Sequence, residues 1–219
     1  MRTTRARLLA LPLVLAMIAG CSKVPITGRS QLNLLPEGEM MSMSLTQYQD
    51  FLKGNPPLPA SDQRVVMVRR IGNRLATAAT NYLKENGAED RVSNFQWEFN
   101  VVDDPMVNAW CMPGGRVVVY TGLLPVTQGE ESLALVMGHE IAHAIARHGN
   151  ERMSQALAVQ GAGLTLQAFT AEKPSLASEL FLQAYGIGGQ LGMLAYGRKQ
   201  ESEADKMGLI FMAMGGYDP

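Results

Sequence analysis

Apolar residues recur at helical spacing in several stretches of this chain and at every second position in one, and that change of period lays out its elements. Met40, Met41, Leu45, Tyr48 and Leu52 predict a helix over residues 37–53, halted by Gly54-Asn55-Pro56-Pro57-Leu58-Pro59. Val65, Val68, Ile71, Leu75, Ala79 and Tyr82 predict a longer helix, capped by Ser61 and ended after Glu85 by Asn86-Gly87. From Phe95 the period is two. Phe95, Trp97, Phe99 and Val101 predict a half-buried strand closed by Asp103-Asp104-Pro105. Residues 108–115 read as a turn, and the β-branched run Arg116–Tyr120 as a second strand. Helical spacing returns with Leu133, Val136, Met137, Ile141, Ala144 and Ile145. Thr127 and Glu130 suit a capping box before that helix, Glu130 and Glu131 put negative charge in its first turn, Arg147 and His148 fall in its last turn, and Gly149 follows as the C′ residue. Residues 151–169 and 176–196 are helical and rich in small residues, and predict an αα-hairpin folded over the preceding helix. Neither is an unbroken apolar run, so neither reads as a membrane span.

Chemistry enters at Gly138-His139-Glu140-Ile141-Ala142-His143. On a helix, positions i and i+4 share a face, so His139 and His143 can point at one metal ion. Glu140 lies close enough to reach a water at that metal and serve as general base. A catalytic zinc takes three protein ligands and keeps one position open. His148 lies five residues beyond His143 and does not fit the spacing of a three-histidine metzincin site. With only three His in the chain, the third ligand must be a carboxylate or Cys111. Arg198-Lys199-Gln200-Glu201-Ser202-Glu203-Ala204-Asp205 offers Glu201 and Asp205 at i and i+4, one to bind metal and the other to support a ligating His; Glu203 falls on a different face. A purely structural zinc site would need a fourth protein ligand and no neighbouring Glu, which makes it the weaker reading.

The 219 residues suffice for one domain with appendages, and a net charge of −1 with 18% charged residues argues against nucleic-acid binding. The 14 Met read as core filler. Arg2, Arg5 and Arg7 precede the apolar run 8–18 and then Ala19-Gly20-Cys21, which makes residues 1–20 a secretory signal. Ile18-Ala19-Gly20-Cys21 resembles a bacterial lipobox, so Cys21 is expected to carry lipid and to anchor the protein to a membrane without crossing it. Ser22 resembles an outer-membrane sorting signal. Residues 21–35, polar and turn-rich, are expected as the tether. Cys111 is then left as a free thiol, which excludes a disulfide framework.

The His139-Glu140-x-x-His143 motif, Glu201-x-x-Ala204-Asp205, Asn108-Ala109 and Pro113-Gly114-Gly115 together resemble peptidase family M48, the gluzincin metallopeptidases that include HtpX, Oma and the CAAX prenyl protease. The likeness covers roughly residues 25–219, and the lipobox and Thr27-Gly28-Arg29-Ser30-Gln31-Leu32 resemble its periplasmic lipoprotein branch. It implies an α+β fold, a mainly helical zincin domain over residues 36–219 with a small β-sheet beside the active-site helix. It implies one Zn²⁺ held by His139, His143 and Glu201, with Glu140 as catalytic base and Asp205 orienting a zinc-bound His. Asn108, Pro113, Gly114, Gly115, Val117 and Val119 are expected to hold the substrate, which many metalloproteases add to a sheet as an extra strand. The implied activity is endoproteolysis of misfolded or unassembled envelope proteins, by a lipoprotein of the outer membrane facing the periplasm. The alternative is a chaperone-like factor in outer-membrane assembly with a plugged zinc site. Family members continue past Gly216-Tyr217-Asp218-Pro219 with further helix and a later His-Pro motif that could stabilise the oxyanion. Within this sequence Arg198, Tyr196 and Tyr217 are the nearest substitutes.

Overall fold

The computed structural model describes residues 21–161, 174–187 and 197–219. The expected signal at 1–20, Tyr196 and the parts of the αα-hairpin at 162–173 and 188–196 lie outside the described residues. Strands β1 (Cys21–Lys23) and β2 (Ser30–Leu32) form an antiparallel hairpin, followed by helices α1 (Glu37–Gly54) and α2 (Gln63–Glu85). Strands β3 (Glu98–Val102), β4 (Ala109–Met112) and β5 (Arg116–Tyr120) form a second sheet in the order β3-β5-β4. The short helix α3 (Leu124–Thr127) leads into α4 (Glu130–Ala146), α5 (His148–Gly161), α6 (Pro174–Ala184) and α7 (Arg198–Met214). The result is a mainly helical α+β fold, and no described helix is long and apolar enough to cross a membrane.

The three-stranded sheet is buried on both faces, not half-buried as its alternating pattern suggests. Phe99, Val101, Cys111, Val117 and Val119 point into one core, shared with Val68 and Leu75 of α2, Met137 and Ile141 of α4, and Met207 and Phe211 of α7. Val102, Trp110, Met112, Val118 and Tyr120 point into a second, shared with Met40 and Tyr48 of α1, Met153 of α5 and Phe181 of α6. Leu75, Met137 and Ile141 are fully buried, and each such side chain is worth about 1.5–3 kcal/mol relative to exposure. Asn100 escapes the cost of a buried polar group by donating to the Tyr48 hydroxyl at 2.8 Å.

Several local expectations shift by a residue or two. Asp62, not Ser61, caps α2, its Oδ1 accepting from the Arg64 N–H at 2.9 Å. Gly129, not Thr127, precedes α4, because Gln128 turns left-handed (φ 55°) and Thr127 ends α3 with its hydroxyl donating to the Leu124 carbonyl at 3.0 Å. The turn expected at 108–115 contains strand β4, which pairs antiparallel with β5 from Ala109↔Val119 to Met112↔Arg116. Gly149 ends no helix. The break falls at Arg147 (φ 61°), and Gly149 sits inside α5 against the Tyr185 ring. Residues 21–35 do not hang as a tether. Val24 and Leu35 are buried, and the Gln31 amide donates to the Ala146 carbonyl at the end of α4 at 2.8 Å.

Helices α4 and α7 cross at two glycines. A Cβ on Gly208 would stand 2.8 Å from His139 N and 3.0 Å from Gly138 C, both backbone atoms that cannot yield separately. Gly208→Ala is therefore expected to destabilise the protein by about 1–3 kcal/mol of overpacking, against a helix-propensity gain of only about 1 kcal/mol. A thermal midpoint equal to or above wild type would show that the helices slide apart at no cost.

Candidate metal centre

That crossing carries the first turn of α7 to the His-Glu-x-x-His turn of α4. His139 and His143 meet edge to face one helical turn apart, with ring centroids 4.5 Å apart and Nε2 atoms at 2.9 Å. Glu201 faces both, Oε2 lying 3.5 Å from His139 Nε2 and Oε1 3.6 Å from His143 Nε2. The ligand atoms of these three residues all lie within 4.8 Å of one another. Two imidazole nitrogens and a carboxylate converging on one point suit a divalent zinc ion, whose open catalytic sites use such a His₂Glu set. Burial first, and then His148 and His139, hold the His143 imidazole well below its ordinary range, so it is neutral with a lone pair to give.

The far side of each ring is also held. His139 Nδ1 lies 2.8 Å from Asp205 Oδ1, and since an ionised carboxylate only accepts, this contact favours the tautomer with its proton on Nδ1 and Nε2 turned to the site. His143 Nδ1 lies 2.8 Å from His148 Nδ1, and His148 Nε2 lies 2.9 Å from Glu203 Oε2. Thr27 donates its hydroxyl to Glu203 Oε1, and Arg29 Nε donates to Oε2 at 2.8 Å. Arg29 then reaches both oxygens of Glu151 at 2.7 Å, and the Gln200 amide donates to Glu151 Oε2 at 2.6 Å. Burial alone would raise the Glu203 carboxyl, but the hydrogen bonds from His148, Thr27 and Arg29 outweigh it and hold it at about 2.

Glu140 is half-buried as a residue, yet desolvation dominates its carboxyl and, with Glu201 second, pushes it up to about 8. A cation among His139, His143 and Glu201 would act in the opposite sense. Cys111, on β4, is buried; desolvation and then Glu140 push its thiol well above its ordinary value. It is expected to resist alkylation in the folded protein and to react after denaturation, as read by peptide mass; labelling of the native protein would contradict that burial.

The residues expected to hold substrate divide. Val117 and Val119 lie on the central strand, fully buried and paired on both sides, so neither can receive an added strand. Gly114 and Gly115 (φ 86° and 84°) make the β4–β5 turn, where a Cβ on Gly115 would meet the Trp97 ring at 2.9 Å, and the Pro113 carbonyl accepts from Ser44 Oγ at 2.7 Å. These three have a folding role. Among the described residues the outer edge of β4 is unpaired, whereas β3 is covered by Pro57 and Leu58. Asn108 stands at the start of β4, with its amide donating to the Gly186 carbonyl at 3.3 Å. Tyr217 is buried beneath the Arg74 guanidinium past the far end of α7, about 20 Å of helix from Glu201 by the rise per residue. It is too distant to meet an oxyanion at the cluster, and Arg198 is exposed in the first turn of α7.

Pattern reading passed over His148, Glu203, Thr27 and Arg29. One signal was available: all three histidines of the chain lie between positions 139 and 148.

Comparison with known proteins bears on the same residues. The chain is 32% identical to the mitochondrial metalloendopeptidase OMA1 of Schizosaccharomyces pombe over 90% of its own length and 53% of that protein's. It is 31% identical to the human mitochondrial metalloendopeptidase OMA1, over 86% of this chain and 36% of that protein, and 28% identical to the beta-barrel assembly-enhancing protease of Escherichia coli, over 90% and 38%. The chain thus spans about half the length of the first of these relatives and little more than a third of the others. The model of Peptidase family M48 matches residues 64–219, from the start of α2 through α7 and with both helices of the His–Glu cluster inside it, and on that match this chain is a member of the family.

Proposed function

We propose that this protein is a zinc-dependent metalloendopeptidase with His139, His143 and Glu201 as metal ligands and Glu140 as general base. The convergence of those three ligand atoms, two from the helix turn that also carries Glu140 and one from α7, is the observation that supports it. Zinc held there supplies Lewis acidity to a water molecule and to the scissile carbonyl. Glu140 takes a proton from the attacking water and delivers it to the leaving amine. Asp205 keeps the His139 proton on Nδ1. The unpaired edge of β4 lines up the peptide by backbone hydrogen bonds, with Asn108 at its entrance.

Residues 1–20 act as an export signal and Cys21 as a lipid anchor, placing the domain at the envelope, on the periplasmic face of the outer membrane. The substrates are misfolded or unassembled envelope proteins, a reading supported by the assembly-enhancing role in the name of the E. coli relative. That name also supports a second reading, a binding role in assembly that does not need hydrolysis; it would survive Glu140→Gln.

The test is metal content together with cleavage of unfolded casein, with Glu140→Gln alongside. About one zinc per chain and cleavage that depends on Glu140 are expected. Zinc without cleavage would overturn the peptidase and leave the binding role.

A further inference from the structure

We propose that Glu203 is a positioning residue for the metal centre, acting through His148 on His143, and that Thr27 and Arg29 of the β1–β2 hairpin hold it in place. This rests on His143 being a metal ligand. To give the Nε2 lone pair to a metal, His143 must carry its proton on Nδ1, and that proton needs an acceptor. His148 Nδ1 stands 2.8 Å away and can accept only if the His148 proton is on Nε2. That Nε2 faces Glu203 Oε2 at 2.9 Å, and an ionised carboxylate has no proton to offer. The carboxylate therefore sets the tautomer of both rings in series.

Glu203 cannot turn away from this duty. Thr27 occupies its Oε1, and Arg29 Nε shares Oε2, while the other end of the Arg29 guanidinium is forked onto Glu151. The side chain of Glu203 is 4% exposed, against 66% for Asp205, which supports His139 directly. Water can stand in for Asp205 but has little access to Glu203, so the relayed support of His143 depends on the protein alone. The hairpin that begins at Cys21 is thereby wired to the second histidine of the centre.

The experiment uses the full chain in detergent, with zinc affinity read by competition against a chelator and ring ¹⁵N spectra of the zinc-loaded protein labelled at its three His. The wild type is expected to show His148 protonated on Nε2 with a bare Nδ1. Glu203→Ala is expected to weaken zinc about 10–100-fold and to shift the His148 ring signals. Arg29→Ala, which leaves both Glu203 and His148 in place, is expected to move both readouts in the same direction by less. Wild-type zinc affinity in Glu203→Ala, or a wild-type His148 protonated on Nδ1, would overturn the proposal. Should Glu203→Ala fail to fold, the wild-type spectrum and Arg29→Ala decide it. Unchanged zinc affinity in His143→Ala would instead remove His143 from the ligands and with it the underlying reading.

Discussion

Glu140→Gln is expected to lower peptide hydrolysis by about 10²–10⁴-fold, the usual range for loss of a general base, while zinc content and thermal midpoint stay at wild-type values. The amide keeps the shape of the side chain but has no lone pair basic enough to take the proton of the attacking water. Folding should not suffer. Burial, with Glu201 second, already pushes the Glu140 carboxyl up to about 8, so a neutral group of the same size suits its surroundings. The clean outcome is a well-folded, zinc-loaded, inactive protein. Retained turnover of casein in this variant would contradict the assigned mechanism, whatever the metal content.

Glu201→Ala is the second large effect. Zinc should fall below stoichiometry after dialysis, a larger loss than the roughly 10–100-fold that follows from removing a residue behind a ligand. Geometry supports this, because among the described residues Glu201 alone brings a carboxylate to both Nε2 atoms, at 3.5 and 3.6 Å. Its side chain is 43% exposed, so truncation opens no cavity, and substitutions at such positions usually change stability by no more than about 0.5 kcal/mol. Loss of metal with an intact fold in the metal-free state is therefore expected. Unchanged zinc content would exclude Glu201 as a ligand.

How much of this was legible beforehand depends on how local the information is. Helices α1, α2 and α4 and strand β5 follow from spacing alone, because each element buries a stripe that its own residues write. The His139–His143 pair and the Glu201–Asp205 pair are legible for the same reason: each is a one-turn repeat on one helix. Strand β4 was hidden inside a stretch whose Asn108 and Pro113-Gly114-Gly115 announce a turn at both ends, with only four residues of strand between them. The helix break at Arg147 was hidden because a left-handed backbone usually falls to Gly or Asn, and here Arg takes it, with its guanidinium 3.1 Å from Glu37. That displacement by two residues is what puts His148 under His143 instead of at a frayed terminus. Glu203 could not have been placed by any periodicity, since its partners Thr27 and Arg29 lie 176 and 174 residues away in the chain.

The same separation has a consequence for timing. A chain made from its N-terminus presents His139, Glu140 and His143 long before the ribosome releases Glu201, Glu203 and Asp205. Helix α7 is the last described helix, and it brings both Glu201 and the carboxylates behind the two histidines. Until it docks on α4 through Gly138 and Gly208, the nascent protein carries Glu140 without the cluster beside it. The convergence of the three side chains therefore begins with the closing of one helix crossing.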